Sequence, residues 1–302
     1  MAFISFIIHG KIKRKETLRK KILEALPSGF EISFLETQRA RHATELTLQA
    51  LTSGADYAIA VGGDGLLNEV INGYMQCPEA VKKKAAVGIF PAGTGNDFCK
   101  TIGIKADFRQ LAKLLESASV KPIDVCHMRF LDVNRKPAER YFNNIADIGI
   151  GGYASQRVNS SSKILGATLS YVKAIVLTFL SYRHRRVRIT AENFRWEGKV
   201  LLAVMANGRF FGSGLCIAPQ AVPDDGKMQL VLLANVTLFD YLKHQGEVRR
   251  GEIILHPEVQ YLQSSWCSVE PLEECTIDMD GEFAGYGPLE AHVLEKSVRF
   301  LW

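Results

Sequence analysis

The feature that most constrains the fold is a pair of glycine-rich segments, each set between an apolar run and a helix-type pattern. The first, Val61-Gly62-Gly63-Asp64-Gly65-Leu66-Leu67-Asn68-Glu69-Val70, continues the apolar run Tyr57–Val61. The second, Phe90-Pro91-Ala92-Gly93-Thr94-Gly95-Asn96-Asp97-Phe98, continues Ala86–Phe90. Short apolar runs of this kind, punctuated by glycine, read as buried strands of a parallel sheet turning into helices. Three glycines around one aspartate let the backbone take positive φ and turn its N–H groups towards an anion. The helix N-terminus that follows adds a positive dipole. Gly93 and Gly95 permit close approach of backbone to ligand, while Thr94 and Asn96 supply a hydroxyl and an amide. Asp64 would repel a phosphate there unless it binds Mg²⁺ or handles a proton; taken alone, the loop also reads as a plain strand-to-helix turn. Two such loops at the carboxyl ends of strands in one sheet can face the same crevice.

The first third of the chain alternates strand and helix patterns. Phe3–Ile8 reads as a strand, Thr17–Leu26 as a helix ended by Pro27 and Gly29, Glu31–Glu36 as a strand and His42–Thr52 as a helix with Gly54 beyond it. Tyr57–Val61 is a strand again, a helix runs from Leu66, and Ala86–Phe90 is a short buried strand. That rhythm predicts an α/β N-terminal domain with a mostly parallel sheet covered on both faces. From Lys121–Asp124 onward β-type runs dominate: Val125–Phe130, Tyr141–Ile145, Val187–Ala191, Val200–Ala206, Met228–Leu233, Glu258–Glu270 and Cys275–Met279. Turn signals such as Pro223-Asp224-Asp225-Gly226 separate them. A mainly antiparallel second domain is the economical reading, interrupted by one helical stretch, Leu165–Tyr182. The expected boundaries are 1–122 for the first domain and 123–289 for the second, with residues 290–302 returning to the first.

Composition narrows the class. The chain is 47% hydrophobic and 23% charged with a net charge of +5, the profile of a soluble globular protein. The modest positive charge fits an anionic ligand, a membrane face or plain surface lysines and arginines. Six cysteines without a C-x-x-C pair or a secretion signal read as free thiols in a reducing cytosol. No run approaches the ~20 apolar residues needed to cross a bilayer, Ala174–Tyr182 being far too short. The expectation is a cytoplasmic protein that touches membranes transiently. A Walker A loop fails because Cys99 stands where glycine is required, although Lys100-Thr101 follow. Gly149-Ile150-Gly151-Gly152-Tyr153-Ala154 imitates a dinucleotide fingerprint, yet no acidic residue occurs from Ile148 through Ala191 to hold a ribose. No nucleic-acid motif or aromatic interleaving accompanies the basic residues, so no nucleic-acid partner is expected.

With both loops in view, the chain resembles the diacylglycerol kinase-like lipid kinase family: bacterial diacylglycerol kinases and, more distantly, sphingosine and ceramide kinases. Gly-Gly-Asp-Gly-x-x-Asn-Glu-Val at 62–70 and Gly-Thr-Gly-Asn-Asp-Phe at 93–98 carry the resemblance, which covers nearly the whole chain. It implies a NAD kinase/diacylglycerol kinase-like first domain, a β-sandwich second domain and an active site in the interdomain cleft. It implies ATP and Mg²⁺, with nucleotide contacts from His9, Thr37 (followed by His42-Ala43), Gly62, Gly63, Asp64, Gly65, Glu69, Gly93, Thr94, Gly95, Asn96, Lys163 and Glu282. Metal would be held at Asp64 and Asp97, and structurally at Asp225. Asp280 of Asp280-Gly281-Glu282 would be the base, with Glu282 and Asp64 as its catalytic companions. A carboxylate near Mg²⁺ can indeed accept the proton of an attacking hydroxyl; Asp-Gly is equally a common hairpin turn.

The pattern departs from the family at three places. Leu66 stands where most bacterial members carry threonine, as in sphingosine and ceramide kinases. His9 replaces a first-strand asparagine. Gly149 occupies the place of the acidic residue by which sphingosine kinases hold the lipid amine, with Asp147 two residues earlier. A sphingoid-base or ceramide kinase, and a nucleotide-binding regulator without transfer activity, are therefore the alternatives to a diacylglycerol kinase. NAD kinases share the first glycine loop but match the other two motifs less well. The acid-free stretch holds Arg157, Lys163, Lys173, Arg183, Arg185, Arg186 and Arg188, which suits a triphosphate or an anionic membrane, with Arg183–Arg188 reading as a solvated face or a membrane contact. Leu169, Val172, Ile175, Val176 and Phe179 read as core or as the wall of an acyl-chain cleft, and Lys11–Lys21 as a charged helix face or an interfacial contact. The expected partners are a lipid substrate at a membrane surface and, through exposed β-edges, a second copy in a homodimer.

Overall fold

The computed structural model describes residues 2–160 and 177–302. Lys163, Lys173 and the stripe positions Leu169, Val172, Ile175 and Val176 lie outside the described residues. The chain forms two compact units, 1–125 together with 294–302, and 126–293.

The first unit comprises β1 (Ala2–Ile8), α1 (Lys15–Ala25), β2 (Phe30–Glu36), α2 (His42–Thr52), β3 (Tyr57–Gly62), α3 (Asp64–Met75), α4 (Glu79–Lys82), β4 (Ala86–Pro91), α5 (Asp97–Ile102) and α6 (Phe108–Glu116). Its strands pair in the order β2-β1-β3-β4, all parallel. The apolar runs are nearly unbroken because both faces are covered. Ile4, Phe6, Ile8, Ile59, Val61 and Phe90 pack with Ile22 of α1, with Leu26 just beyond its end, and with Leu111 and Leu115 of α6. On α3, Leu67 and Ile71 are fully buried. Helices α2 and α3 lie so close that a Cβ on Gly73 would stand 2.4 Å from the Thr44 carbonyl oxygen. The last residues complete this unit: Phe300 pairs in parallel with Val87, and the Trp302 N–H donates to the Ser119 carbonyl at 2.8 Å.

The second unit is antiparallel. Its elements are β5 (Val120–Asp132, begun in the first unit), β6 (Pro137–Phe142), β7 (Ile145–Gly149), α7 (Ile150–Ser160), β8 (Arg185–Ala191), β9 (Phe194–Val200), β10 (Leu202–Ala206), β11 (Phe210–Phe211), β12 (Leu215–Cys216), β13 (Met228–Leu233), α8 (Leu238–Arg250), β14 (Val259–Ser264), β15 (Trp266–Pro271), β16 (Thr276–Met279) and β17 (Glu282–Leu301). One arm runs β14-β13-β10-β7-β16-β17 and a second β17-β15-β8-β9, sharing the long β17. Both supply one core, among it Phe142, Ile148, Ile189, Met205, Leu230, Val269, Ile277 and Leu289.

Two runs that read as single strands are divided here. Val200–Ala206 breaks at Leu201, because β9 pairs with β8 whereas β10 pairs with β13 and β7. Glu258–Glu270 breaks at Ser265 for the same reason, β14 belonging to one arm and β15 to the other. Each break is a sandwich corner where the strand changes sheets. Helix α7 is unread in the sequence because glycines and polar residues blur its period. Helix α8 has a readable signal, a capping box in which the Thr237 hydroxyl accepts from the Asp240 N–H and the Asp240 carboxylate accepts from the Thr237 N–H, with Gly251 closing the other end. All six cysteines are free and buried. Among the described residues no helix is long and apolar enough to cross a membrane.

Candidate active site

Parallel pairing brings the carboxyl ends of four strands to one edge. Ile8 stands beside Glu36 and Val61, and Gly62 beside Pro91. His9, Thr37, Gly62–Gly65 and Gly93–Asn96 therefore gather at that edge, where the strand order reverses between β1 and β3. The Thr37 hydroxyl accepts from the Gly10 N–H at 2.9 Å, and a Cβ on Gly10 would lie 2.1 Å from the Thr37 carbonyl oxygen. That contact ties the ends of β1 and β2 together. His9 accepts the Lys11 N–H on Nδ1 at 3.2 Å, which leaves Nε2 as the donor nitrogen of the ring.

The two glycine loops touch. A Cβ on Gly93 would sit 2.4 Å from the Gly63 Cα and 2.9 Å from its nitrogen, and the Ala92 N–H donates to the Gly62 carbonyl at 2.8 Å. Asp64, in the first turn of α3, holds them so: its Oδ2 accepts from the Asp97 N–H at 3.0 Å and its Oδ1 from the Phe98 N–H at 3.1 Å. Burial, reinforced by the nearby Asp97 charge, pushes the Asp64 carboxyl above its ordinary range. Asn96, at φ 49°, accepts from the Gly93 N–H at 3.1 Å and donates to the Gly93 carbonyl at 2.9 Å. Its amide thus braces its own loop. The Asp97 carboxylate is paired with the Lys100 ammonium at 2.6 Å. Oδ2 of both Asp64 and Asp97 borders Gly95, and Thr94 is exposed.

Glu69 belongs to the framework as well. Its two oxygens accept from the Arg41 and Ala43 N–H groups at 2.8 and 2.9 Å, so it caps α2 and fixes the turn between Thr37 and His42. Leu66 is buried with its Cδ2 2.6 Å from where a Gly62 Cβ would be; it packs beneath the loop and offers no polar group.

In the second unit, Asp280 and Gly281 are the two central residues of the β16–β17 hairpin, at φ 50° and 85°. The hairpin reading of Asp-Gly is thus correct, yet the side chain is turned inward and only 6% exposed. Its Oδ1 accepts from the Ile145 and Asn144 N–H groups at 2.9 and 3.2 Å, and its Oδ2 from the Asn143 N–H at 3.3 Å. Three main-chain donors fix the carboxylate's orientation, a level of preorganisation uncommon for a turn residue. Glu282 takes the Arg140 guanidinium at 3.3 Å. The buried side-chain oxygens of Asn143 and Asn144 have no hydrogen-bond partner among the described residues. Sequence reading had no signal for Asn143, Asn144 and Arg140, which reach Asp280 and Glu282 only through sheet pairing.

The remaining expected residues stand elsewhere. Asp225 is exposed and accepts from the Lys227 N–H at 3.0 Å within its own turn. No group of three or more His, Cys, Asp or Glu that could hold a metal ion occurs among the described residues. Arg185, Arg186 and Arg188 are paired with Glu273, Glu197 and Glu270 from neighbouring segments, which makes this stretch a compensated, solvated face.

Comparison with known proteins agrees with the geometry. A profile of the diacylglycerol kinase catalytic domain matches residues 5–128, and one of the YegS C-terminal NAD kinase beta sandwich-like domain matches residues 144–302. The chain is 29% identical over 288 residues to a diacylglycerol kinase of Staphylococcus carnosus, covering 93% of this chain and 89% of the relative. It is 27% identical over 289 residues to a diacylglycerol kinase of Bacillus subtilis, covering 94% and 91%. A crystal structure of a diacylglycerol kinase from Bacillus anthracis shares the fold, with a TM-score of 0.72 over 99% of this chain and 96% of that one at 21% identity. The chain belongs to the family of the YegS C-terminal NAD kinase beta sandwich-like domain, which its residues 144–302 match, and with a diacylglycerol kinase catalytic domain over residues 5–128 it is a lipid kinase.

Proposed function

We propose that this lipid kinase transfers the γ-phosphoryl group of ATP to the hydroxyl of diacylglycerol or a closely related glycerolipid. The observation that carries the reading is the pair of glycine loops locked edge to edge by the Asp64 carboxylate. Backbone brought that close, without side chains, suits a triphosphate lying on main-chain N–H groups of Gly62–Gly65 and Gly93–Asn96. Thr37 and His9 add donors at the same strand edge. Asp64 and Asn96 brace the loops and Glu69 holds the start of α2, so the cradle is built before nucleotide arrives. Catalysis of this kind is positioning and charge neutralisation, with little covalent work by the protein.

The carboxylates of Asp64 and Asp97, both bordering Gly95, are hard oxygen donors of the type Mg²⁺ takes alongside substrate phosphates. Mg²⁺ bound there would neutralise charge on the transferring phosphoryl group. Asp225 is assigned a structural ion and Lys163 the γ-phosphate on the family resemblance. Asp280 is the base: a carboxylate fixed by three N–H groups is oriented to accept the proton of the lipid hydroxyl, and Glu282 supports it. Recognition of a sphingoid amine by Asp147 is disfavoured, since that side chain is 1% exposed beneath α7. The test is transfer of labelled γ-phosphate from Mg·ATP to diacylglycerol, monoacylglycerol, phosphatidylglycerol, sphingosine and ceramide in mixed micelles. Label on a glycerolipid supports the reading. Nucleotide binding with no label on any lipid would select a regulator instead.

A further inference from the structure

Helix α8 buries one face and leaves the other to solvent, and the outer face is unlike a solvated helix surface. Tyr241, His244 and Val248 look inward. The Tyr241 ring lies 5.4 Å from Phe179 and the His244 ring 5.9 Å from His256, while Val248 is buried with Leu215 and Ile254. Positions 239, 242, 243, 246 and 249 recur at helical spacing and are all exposed. On them stand Phe239, 74% exposed, and Leu242, 51% exposed, followed by Lys243, Gly246 and Arg249.

The surroundings extend the same character. Leu180, 73% exposed, and Leu255, 90% exposed, lie on the two segments that flank α8 through the Phe179–Tyr241 and His256–His244 ring contacts. The acids of the region are engaged elsewhere. Asp240 caps the helix, Glu247 holds His244, and Glu252 holds Arg250. Lys243 and Arg249 form no ion pair among the described residues. Large apolar side chains beside uncompensated cations, with no opposing carboxylate on the same face, are the profile of a helix lying in a bilayer interface. A symmetric pairing of this face with a second copy would set its cations against their own equivalents, which like-charge repulsion disfavours.

We propose that the outer face of α8 is the surface by which this kinase docks on an anionic bilayer, with Phe239 and Leu242 entering the acyl boundary and Lys243 and Arg249 among the headgroups. The proposal rests on the reading that the acceptor is a bilayer lipid. The experiment is sedimentation of the full chain with phosphatidylcholine vesicles prepared with and without phosphatidylglycerol, using Phe239→Ala/Leu242→Ala and Lys243→Gln/Arg249→Gln. Each double variant should bind anionic vesicles about tenfold more weakly or worse at an unchanged melting temperature. Turnover of vesicle-borne diacylglycerol should fall in parallel, whereas turnover of a short-chain diacylglycerol dissolved as monomers should stay at the wild-type level. Vesicle binding equal to wild type in both variants overturns the proposal. So does a Phe239→Ala/Leu242→Ala variant that loses only self-association in the ultracentrifuge. A wild-type protein that labels no lipid removes the glycerolipid reading, while the sedimentation result still decides the docking face.

Discussion

Asp147 and Asp278 stand directly opposite one another on β7 and β16, two carboxyl groups buried side by side at 1% and 9% exposure. Oδ1 of Asp147 has no hydrogen-bond partner among the described residues and is roofed by Gly151, whose added Cβ would lie 2.2 Å away. Oδ1 of Asp278 accepts from the Gly281 N–H at 2.9 Å, one residue beyond Asp280. Burial pushes Asp278 up to about 7. Burial and the facing Asp278 charge hold Asp147 well above the ordinary carboxylate range. The hairpin that carries Asp280 is therefore footed on a carboxyl pair that retains protons well above the usual carboxylate pH.

This pair makes stability pH-dependent in a definite sense. In the unfolded chain both groups ionise near pH ~3.9, whereas in the native chain burial holds Asp278 up at about 7 and, with the facing Asp278 charge, keeps Asp147 well above the ordinary carboxylate range. The pair's contribution is fully present below the unfolded value and is lost as pH rises through the native ones. Asp147→Asn should lessen that slope, leaving the share that burial of Asp278 contributes, and stabilise the protein by about 1–3 kcal/mol near pH ~8 relative to wild type, with a smaller gain near pH ~5. Urea unfolding at the two pH values measures it; equal effects at both would refute the pair's role.

Gly93→Ala tests the contact between the loops. The new Cβ must displace Gly63 backbone from 2.4 Å, which overpacking data put at about 1–3 kcal/mol. Nucleotide affinity, followed by calorimetry, should fall about tenfold or more as the loops part, with the lipid-independent fold retained.

Asp64→Asn replaces two charge-assisted acceptors by one neutral acceptor and an NH₂ group that faces a backbone donor. The bonds to the Asp97 and Phe98 N–H groups cannot both survive. Turnover should drop about a hundredfold or more, and limited proteolysis should show earlier cleavage in the 93–98 loop than in wild type.

Glu69→Gln should behave differently, because Glu69 holds α2 rather than the glycine loops. Loss of one of the two N–H bonds to the α2 turn predicts a stability cost of about 1–2 kcal/mol. KM for ATP should rise only a few-fold, with kcat nearly unchanged. A kcat loss as large as that of Asp64→Asn would place Glu69 on the reacting groups instead.

The parallel domain and its loops are legible in the sequence because the residues that make the contacts are the ones the pattern requires. Gly63 and Gly93 must be glycine for the backbones to touch, and Asp64 must be short and acidic to reach two N–H groups. What the motifs do not reveal is on whom each side chain acts. Glu69 and Asn96 read as ligand contacts, but their partners are main-chain groups visible only in the fold. Charge misleads for the same reason: Arg185, Arg186 and Arg188 sit in an acid-free stretch, and Glu197, Glu270 and Glu273 arrive from other segments. The sandwich corners at Leu201 and Ser265 carry neither glycine nor proline, so no local signal marks them. Asp278 gains meaning only from its register opposite Asp147.

The most direct test of the account is label transfer from γ-labelled Mg·ATP to diacylglycerol by the wild-type chain and by Asp280→Asn. Wild type should label the lipid and the variant should lose about 10²–10⁴-fold, with ATP affinity retained because the role proposed for Asp280 is to take the hydroxyl proton rather than to hold nucleotide. Undiminished labelling by Asp280→Asn would contradict the assignment of the base, and nucleotide binding without label on any lipid would contradict the kinase reading itself.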